Sequence, residues 1–425
     1  MRRRHGVLLG LLLLAAITYL DRVCITFASV RIQNDLHLDP EQWGWVLGAF
    51  TVSYAMFGTP VGGLGDRIGG RRILTQIVAG WSVFTALTGL ARGYFSLLIT
   101  RFFFGAGEAG AFPNMSAVVS RWFPVRERAR SMGFAWVASR AGGALAPHIV
   151  IPLQQKFGWR PSFGVLGAIG ACWTAAWFLL YRDHPRDMAG VTKAELAEIG
   201  DTPRVASRQR LPWARMFRNR TFILILLMYH TYCWGSYFYI SWMPTYLQLG
   251  RGFSENELRI WGTLPFLLSG TGIALGGIFS DKLVSRIGIN WARRSIGAGG
   301  LFLGGILLAA TAATPNNTVA AILLALGYGS MDCMLPVSWA VCMDVGGGSA
   351  GALSGAMNTA GQVASFASAV AFGWAVKSLL AHHFSTHLSY NLPVFPMAAL
   401  LVISAFLFLG IDASRPLVPE PEHSA

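Results

Sequence analysis

The sequence predicts an all-α membrane protein with twelve transmembrane helices arranged as two six-helix halves. Three observations carry this. The 425 residues are 53% hydrophobic and only 13% charged, with a mean hydropathy of +0.48, which is membrane composition. Apolar runs of about 20 residues, the length a helix needs to cross the hydrocarbon layer, recur twelve times. A glycine- and arginine-rich stretch that follows the second run has a relative after the eighth, about half a chain later.

The runs lie near 7–29, 42–65, 73–91, 94–119, 129–153, 161–181, 221–248, 259–281, 295–312, 317–342, 351–376 and 391–412. Each must be helical, because lipid offers no partner to an open backbone N–H or C=O. The first run follows Arg2, Arg3 and Arg4 and has the outline of a signal peptide. It carries Asp21 and Arg22, exceeds the length of an h-region and lacks a clean cleavage site, so it reads as a span. The net charge of +14 raises nucleic acid as a partner, and the placement of the charge argues against it. With a cytoplasmic N-terminus, seven Lys and Arg fall in outer loops (Arg31, Arg92, Lys156, Arg160, Arg251, Arg259, Lys377) and three inside spans (Arg22, Arg101, Arg140). That leaves 24 of the 34 on the cytoplasmic side. This positive-inside distribution predicts a multi-pass protein of the inner (plasma) membrane with both termini cytoplasmic. Cys24, Cys172, Cys233, Cys333 and Cys342 are scattered through apolar spans without a CxxC, so neither a disulfide framework nor a metal site is expected.

Span one contains ITYLDRVCITFA. Adjacent residues point about 100° apart on a helix, so Asp21 and Arg22 are expected to serve different partners. A second reading has them pairing with charges on neighbouring helices to hold the bundle together. Span two ends in GGLGDRIGGRR, residues 62–72. Its glycines permit a tight turn, Asp66 can cap or pair, and Arg67 and Arg71 belong to a basic cluster that anchors the cytoplasmic face. The related GGIFSDKLVSRIGINWARR at 276–294 places Asp281 215 residues after Asp66. The halves therefore read as a parallel repeat: 1–181, a cytoplasmic linker 182–220, 221–412, and a cytoplasmic tail 413–425. The linker holds nine Lys or Arg and five Asp or Glu, with helix formers at Lys193 to Ile199 that predict a short surface helix.

Span four carries RFFFGAGEAGAFP, residues 101–113. Arg101 and Glu108 are seven apart, within about 20° of one helix face and roughly 10 Å along the axis. An arginine at mid-membrane costs about 2.5–3.5 kcal/mol even on insertion scales, so it is kept where it faces a partner, a polar cavity or a substrate. Gly105, Gly107 and Gly110 let another helix or a ligand approach the backbone. This face is expected to line an anion path, Arg101 serving the anion and Glu108 a proton.

Twelve spans in two halves, with a Gly-x-Leu-x-Asp-Arg-x-Gly loop after span two, resemble the major facilitator superfamily. Five further stretches resemble its anion:cation symporter family, which includes carriers for hexuronates, glucarate, galactonate and other organic anions. They are YLDR at 19–22, RFFFGAGEAGAFPN at 101–114, RWFPVRERARSMG at 121–133, SWMPTYL at 241–247 and GAMNTAGQ at 355–362. The resemblance implies that Asp21, Arg22, Arg101 and Glu108 line the central cavity. The two arginines would grip the substrate carboxylate and the two acids would exchange the coupling proton. It also implies that Tyr19, Tyr54, Asn358 and Gln362 face a sugar acid, and that the Asp66 loop gates the cytoplasmic side. The chemistry is consistent: a carboxylate gains most from the planar guanidinium fork, and an anion that takes up the arginine leaves the acid readier for its proton.

Two residues depart from the family pattern. Arg140, in ASRAGGALAP of span five, is either a second carboxylate clamp, which favours a dianion such as an aldarate, or a side chain that snorkels to the cytoplasmic edge. Asp332, in GYGSMDCMLP of span ten, lies where Gly327, Gly329 and Pro336 weaken the helix. It reads as a proton acceptor, a hydroxyl-binding acid, or a structural residue paired with Ser330 or a neighbouring helix. Over the whole chain these span charges cancel: Arg22, Arg101 and Arg140 against Asp21, Glu108 and Asp332. The aromatics of span seven mostly serve packing and lipid contact, with Tyr237 the one chosen as a substrate contact. His148, His382, His383 and His387 read as interfacial polar residues, and the Asn316-Asn317-Thr318 sequon decides nothing.

There is no HExxH, Walker loop or Gly-x-Ser-x-Gly, so neither ATP drive nor hydrolysis has a handle, and no cofactor is expected. The sequence predicts a proton-coupled importer of a small organic anion, with the lipid bilayer as its surroundings and a monomer sufficient. Its rivals are a carrier of another carboxylate (aromatic acids, tartrate), an exchanger or drug antiporter, a transporter-like sensor, and an intramembrane enzyme. Paired intramembrane arginines suit an anion better than a cationic drug, and no nucleophile–base set supports the enzyme.

Overall fold

The computed structural model describes residues 2–62, 64–199, 213–346, 350–414 and 417. Their regular structure is entirely helical. The chain divides into two compact units, Met1–Arg204 with Ser254–Thr263, and Val205–Phe253 with Leu264–Ala425.

The first unit runs α1 (Arg3–Phe27), α2 (Ser29–Leu36), α3 (Pro40–Gly62), α4 (Gly65–Ile68), α5 (Gly70–Thr88), α6 (Tyr94–Glu108), α7 (Ala111–Trp122), α8 (Val125–Phe157), α9 (Trp159–Leu180) and α10 (Lys193–Ile199). Its six spans are α1, α3, α5, α6 with α7, α8 and α9. α1 packs along α8, α3 along α6, and α5 against both α6 and α9. The apolar run 94–119 predicts one helix, and the structure makes two, separated by a turn at Ala109 and Gly110. Pro113 is the physical reason: it has no N–H to give the Ala109 carbonyl, and its ring crowds that carbonyl.

The linker helix forms over the expected Lys193–Ile199 and folds onto this unit. Its Glu195 carboxylate accepts from the backbone N–H groups of Arg3 (3.2 Å) and Arg4 (2.8 Å). A carboxylate thus satisfies orphan donors at the positive end of α1. Buried Arg4 reaches Glu198 at 3.1 Å and Glu127 at 3.4 Å. The hydrogen bond from Arg4, followed by that from Arg2, holds the Glu198 carboxyl below its usual range. The linker from 200 to 212 and most of the 413–425 tail lie outside the described residues.

The second unit holds α11 (Trp213–Met216), α12 (Arg220–Ser241) and α13 (Met243–Thr245), which runs into a π-helical turn, Tyr246–Gly250. After α14 (Glu255–Trp261) come α15 (Thr263–Ala313), α16 (Asn317–Asp332), α17 (Met334–Gly346), α18 (Ala350–Ala381), α19 (Thr386–Asn391) and α20 (Val394–Leu409). Its six spans are α12, the two arms of α15, α16 with α17, α18 and α20. α12 packs along α18 and α20. Asn219 caps α12 through Thr221 N–H (2.8 Å), and Asn316 caps α16 through Val319 N–H (3.0 Å). The spans expected at 259–281 and 295–312 with a loop between them are instead one helical stretch, bent at Gly288. Its φ of +77° is left-handed backbone that a residue with a Cβ adopts only under strain. Span ten is broken at Cys333, where Pro336 denies a donor to the Asp332 carbonyl.

α14 belongs with the first unit, and its partners there show why. Glu255 takes both Nε (2.7 Å) and Nη2 (2.8 Å) of Arg31, and Gln155 Nε2 at 3.1 Å. Thr263 Oγ1 donates to the Ala144 carbonyl at 2.9 Å. By length and composition alone, six described helical stretches can cross a membrane, among them Arg3–Phe27, Trp159–Leu180 and Thr386–Leu409. Span four falls outside that set because its break leaves α6 only 15 residues long.

Candidate functional site

Two close helix contacts assemble the charged residues of the first unit. At Gly142 on α8 a Cβ would collide with the backbone of Ala16 on α1, so only glycine lets these helices meet. At Gly105 on α6 a Cβ would collide with Ser53 Oγ and the Phe50 carbonyl on α3. The first contact brings Arg140 to Tyr19, and the second brings Arg101 to Phe50.

Arg22 is the hub. Its Nε donates to Glu108 Oε1 at 3.0 Å, and its Nη2 donates to the same oxygen. Its Cζ lies 4.9 Å from the centroid of Tyr19, 5.0 Å from Phe50 and 5.1 Å from Tyr54, distances at which a ring face attracts a cation. Arg101 is 3% exposed and lies over Phe104 (4.5 Å) and Phe50 (5.4 Å). Among the described residues it has no hydrogen bond or ion pair to a side chain or carbonyl, and its Nε is buried without an acceptor. Arg140 does not snorkel: it is 3% exposed, with Cζ 5.1 Å from the Tyr19 centroid.

Asp21 points away from Arg22 and accepts from Trp81 Nε1 at 3.1 Å. Asp21 Oδ1 and Glu108 Oε2 are both buried with no donor among the described residues. Three guanidinium groups therefore face two carboxylates within the spans of this unit. Asp332, the third acid of the span charges, belongs to the other unit.

In the second unit Asp332 is fully buried, accepting from Tyr232 Oη at 2.6 Å on one carboxylate oxygen and from Ser269 Oγ on the other. Tyr237 Oη donates to Gln362 Oε1 at 3.2 Å, joining α12 to α18, and Asn358 lies half-buried one turn before Gln362. Four contributors went unseen in the sequence: Trp81, Phe50, Tyr232 and Ser269. Phe50 stands four residues before Tyr54, on the same helix face, which is a signal that could have found it. Tyr232 was one of many aromatics in span seven, and Trp81 and Ser269 carry no local signal.

The expected gate residues fall in separate places. Asp66 lies in α4 and its side chain is outside the described residues, while Arg67 on the same helix is exposed. Arg71 Nε bonds the Phe178 carbonyl (2.7 Å), and Arg71 N–H donates to Asp183 (2.9 Å), tying α5 to the end of α9. In the second unit Arg293 bonds Asp281 (2.8 Å), Ser280 (2.8 Å) and Asp344 (3.0 Å), linking both arms of α15 to α17.

Helix order, the split fourth span and this buried charge set describe a multi-pass membrane transporter. The sequence profile of the Major Facilitator Superfamily matches residues 11–369, and the chain belongs to that superfamily. A probable sulfoacetate transporter of Cupriavidus necator is 33% identical over 415 residues, covering 97% of this chain and 94% of the relative. The hexuronate transporter of Bacillus subtilis is 30% identical over 342 residues, 80% of each chain. A D-galactonate transporter of Escherichia coli is 33% identical over 307 residues, 69% of this chain and 71% of the relative. Among solved structures, an inward-facing bacterial homologue of the human lysosomal transporter Spinster superposes with a TM-score of 0.78 at 21% identity, covering 97% of both chains. The D-xylose–proton symporter does so with a TM-score of 0.76 at 14% identity, covering 95% of this chain and 97% of the other. These two likenesses show the fold. The superfamily expected from the motifs is the one found, with relatives that are transporters named for sugar acids.

Proposed function

We propose that this chain imports a small organic anion, a sugar acid such as a hexuronate, aldonate or aldarate, together with protons, by alternating access. It would act as a monomeric carrier and not as an enzyme, in the inner membrane with both termini cytoplasmic. One observation carries the reading: Glu108 occupies the guanidinium of Arg22, while Arg101, over the same Phe50 ring, holds no protein anion among the described residues. A substrate carboxylate that docks on Arg101 is then within reach of Arg22, where it competes with Glu108. A buried carboxylate that loses its cation holds a proton more readily, so anion and proton binding become linked, each favouring the other.

In this scheme Asp21 and Glu108 exchange protons through the oxygens that lack donors. Tyr19, Tyr54, Tyr237, Asn358 and Gln362 remain the residues proposed to offer hydroxyl and amide contacts to a polyol chain. Of the three readings of Asp332 (proton acceptor, hydroxyl-binding acid, structural residue), the hydrogen bonds from Tyr232 and Ser269 support the structural one. Asp66, Arg67, Arg71 and Asp281 remain the proposed gate residues. The names of the hexuronate and D-galactonate relatives support the substrate class.

The test is uptake of labelled glucuronate, galactonate, glucarate and sulfoacetate into proteoliposomes, with an inward proton gradient, an inward sodium gradient or none. Proton-driven uptake of at least one is expected, lost in Arg101→Ala and reduced to exchange in Glu108→Gln. Uptake that ignores the proton gradient and survives both substitutions would overturn the mechanism.

A further inference from the structure

We infer that Trp81 is a positioning residue for the coupling proton. Its indole N–H holds one carboxylate oxygen of Asp21, leaves the other to take the proton, and sets the pH at which Asp21 lets it go. The inference rests on the reading that Asp21 exchanges that proton. Trp81 Nε1 donates to Asp21 Oδ2 at 3.1 Å, the one donor to this carboxylate among the described residues, and Oδ1 is buried without one. Both residues belong to the first unit, Trp81 wholly buried and Asp21 1% exposed. Burying a tryptophan does not by itself bring its N–H to an acid. The N–H groups of Trp122 and Trp173 go to the backbone carbonyls of Arg182 (3.2 Å) and Gly10 (2.9 Å). Those of Trp43 and Trp177 are buried with no acceptor among the described residues.

Three glycines seat the indole. At Gly107 on α6 a Cβ would stand 3.1 Å from the Trp81 backbone nitrogen, and at Gly167 and Gly170 on α9 it would collide with the carbonyl and Oγ of Ser82. α5 is thus wedged at Trp81 between α6 and α9. Gly107 adjoins Glu108, so the contact that seats the indole also places the second acid. An indole N–H donates and cannot accept, so Trp81 favours the ionised form of Asp21 and cannot carry the proton itself. The titratable and charged neighbours of Asp21 are Glu108 and Arg101 on α6 and the Cys24 thiol on α1. α8 brings Arg140, set on Tyr19. α7 and α9 carry charges at their ends, Arg121 near Asp183 and Arg160 on Asp35. Trp81 can be changed without altering any of these charges, which makes its effect on the proton separable.

The experiment measures the pH profile of proton-driven uptake in proteoliposomes, for whichever of glucuronate, galactonate, glucarate and sulfoacetate wild type transports. Substrate exchange at equal pH, which needs no net proton release, is measured beside it. In Trp81→Phe the alkaline fall of uptake is expected about one pH unit higher, as loss of one hydrogen bond to a charged group would give. Net uptake at neutral pH should fall and exchange should be retained. Trp81→Gln, whose amide nitrogen stands as many bonds from the backbone as the indole nitrogen, should bring the profile back toward wild type. In an Asp21→Asn background Trp81→Phe should change exchange no further, and a further loss there overturns the inference. A profile that stays in place in Trp81→Phe overturns it too and leaves the proposed function standing. So does an equal loss of uptake and exchange in Trp81→Phe and Trp81→Gln with the profile unmoved. If Trp81→Phe does not fold, Trp81→Gln decides: a wild-type profile supports the inference and a displaced one overturns it. Wild-type uptake with no proton dependence overturns the proposed function and the inference together.

Discussion

Glu108 and Asp332 occupy the same station in the two units. Each is the last residue of its helix, α6 or α16, in the fourth span of its half. Each stands just before a break made by a proline, Pro113 or Pro336, and each is buried. Each is held by the first span of its own half, Glu108 by Arg22 on α1 and Asp332 by Tyr232 on α12. The partners differ in kind. Glu108 rests on a cation that any incoming carboxylate also wants, whereas the hydrogen bonds described for Asp332 come from two neutral hydroxyls. One scaffold position thus carries an ion pair with arginine in the first unit and hydrogen bonds from hydroxyls in the second. The repeat conserves where an acid sits, and the partner decides what it can do.

Breaking the ion pair should have the largest effect. Glu108→Gln leaves Arg22 without its counter-charge, and the loss of one partner of a buried pair costs about 3–5 kcal/mol. A clear drop in thermal midpoint in detergent is expected, together with loss of proton-driven uptake. The double variant Arg22→Gln/Glu108→Gln, with neither charge left stranded, should recover most of that stability and none of the transport. If Glu108→Gln is as stable as wild type, the ion pair is not the element that distinguishes the units. Next comes Tyr232→Phe, which deprives the buried Asp332 carboxylate of one donor at a cost of about 1–3 kcal/mol. Its proton-driven uptake should persist in correctly folded protein. Asp332→Asn keeps an acceptor for Tyr232 or Ser269 and should cost about 1 kcal/mol. Abolished proton coupling in Asp332→Asn, measured by the same uptake assay, would make the two acids equivalent and end the comparison.

The smallest effect concerns the ion pair that holds α14 on the first unit. The hydrogen bonds from Arg31 keep the Glu255 carboxyl below its usual value of 4.5. A depressed carboxyl stabilises the fold above its unfolded value, and the contribution disappears as pH falls through the depressed one. The pair is partly exposed, so about 0.2–1 kcal/mol is expected. Glu255→Gln should therefore lower the melting temperature slightly at pH 7 and match wild type near the acid limit of the folded state. A difference that grows with acidity would have the wrong sign.

The fold was legible because a bilayer permits few solutions: apolar runs had to be helices, and basic loops marked one side. The charged site was legible for a related reason. Asp21, Arg22, Arg101, Glu108, Arg140 and Asp332 stand out in apolar runs, where a charge survives only with a use. Their pairings were not legible. Tyr232, Ser269 and Trp81 are ordinary residues for a span, and tertiary packing alone selects them as partners. The break at Ala109–Gly110 was obscured by a run that stays apolar through it, although Pro113 was its cause. Arg140 had two open readings because a side chain partway along a helix can reach either inward or to the edge. In the structure it lies buried against Tyr19, a placement that no count of residues along one chain segment could have shown.

The hydrogen bond from Trp81 to Asp21 has an optical consequence. The indole is wholly buried, and its N–H ends on the carboxylate proposed to gain and lose a proton. Indole emission responds to a nearby charge, so each protonation event at Asp21 would move the colour of one tryptophan. The difference spectrum between wild type and Trp81→Phe isolates that chromophore from the other fourteen of the 15 tryptophans. The transport cycle could then be followed in unlabelled protein, by light alone.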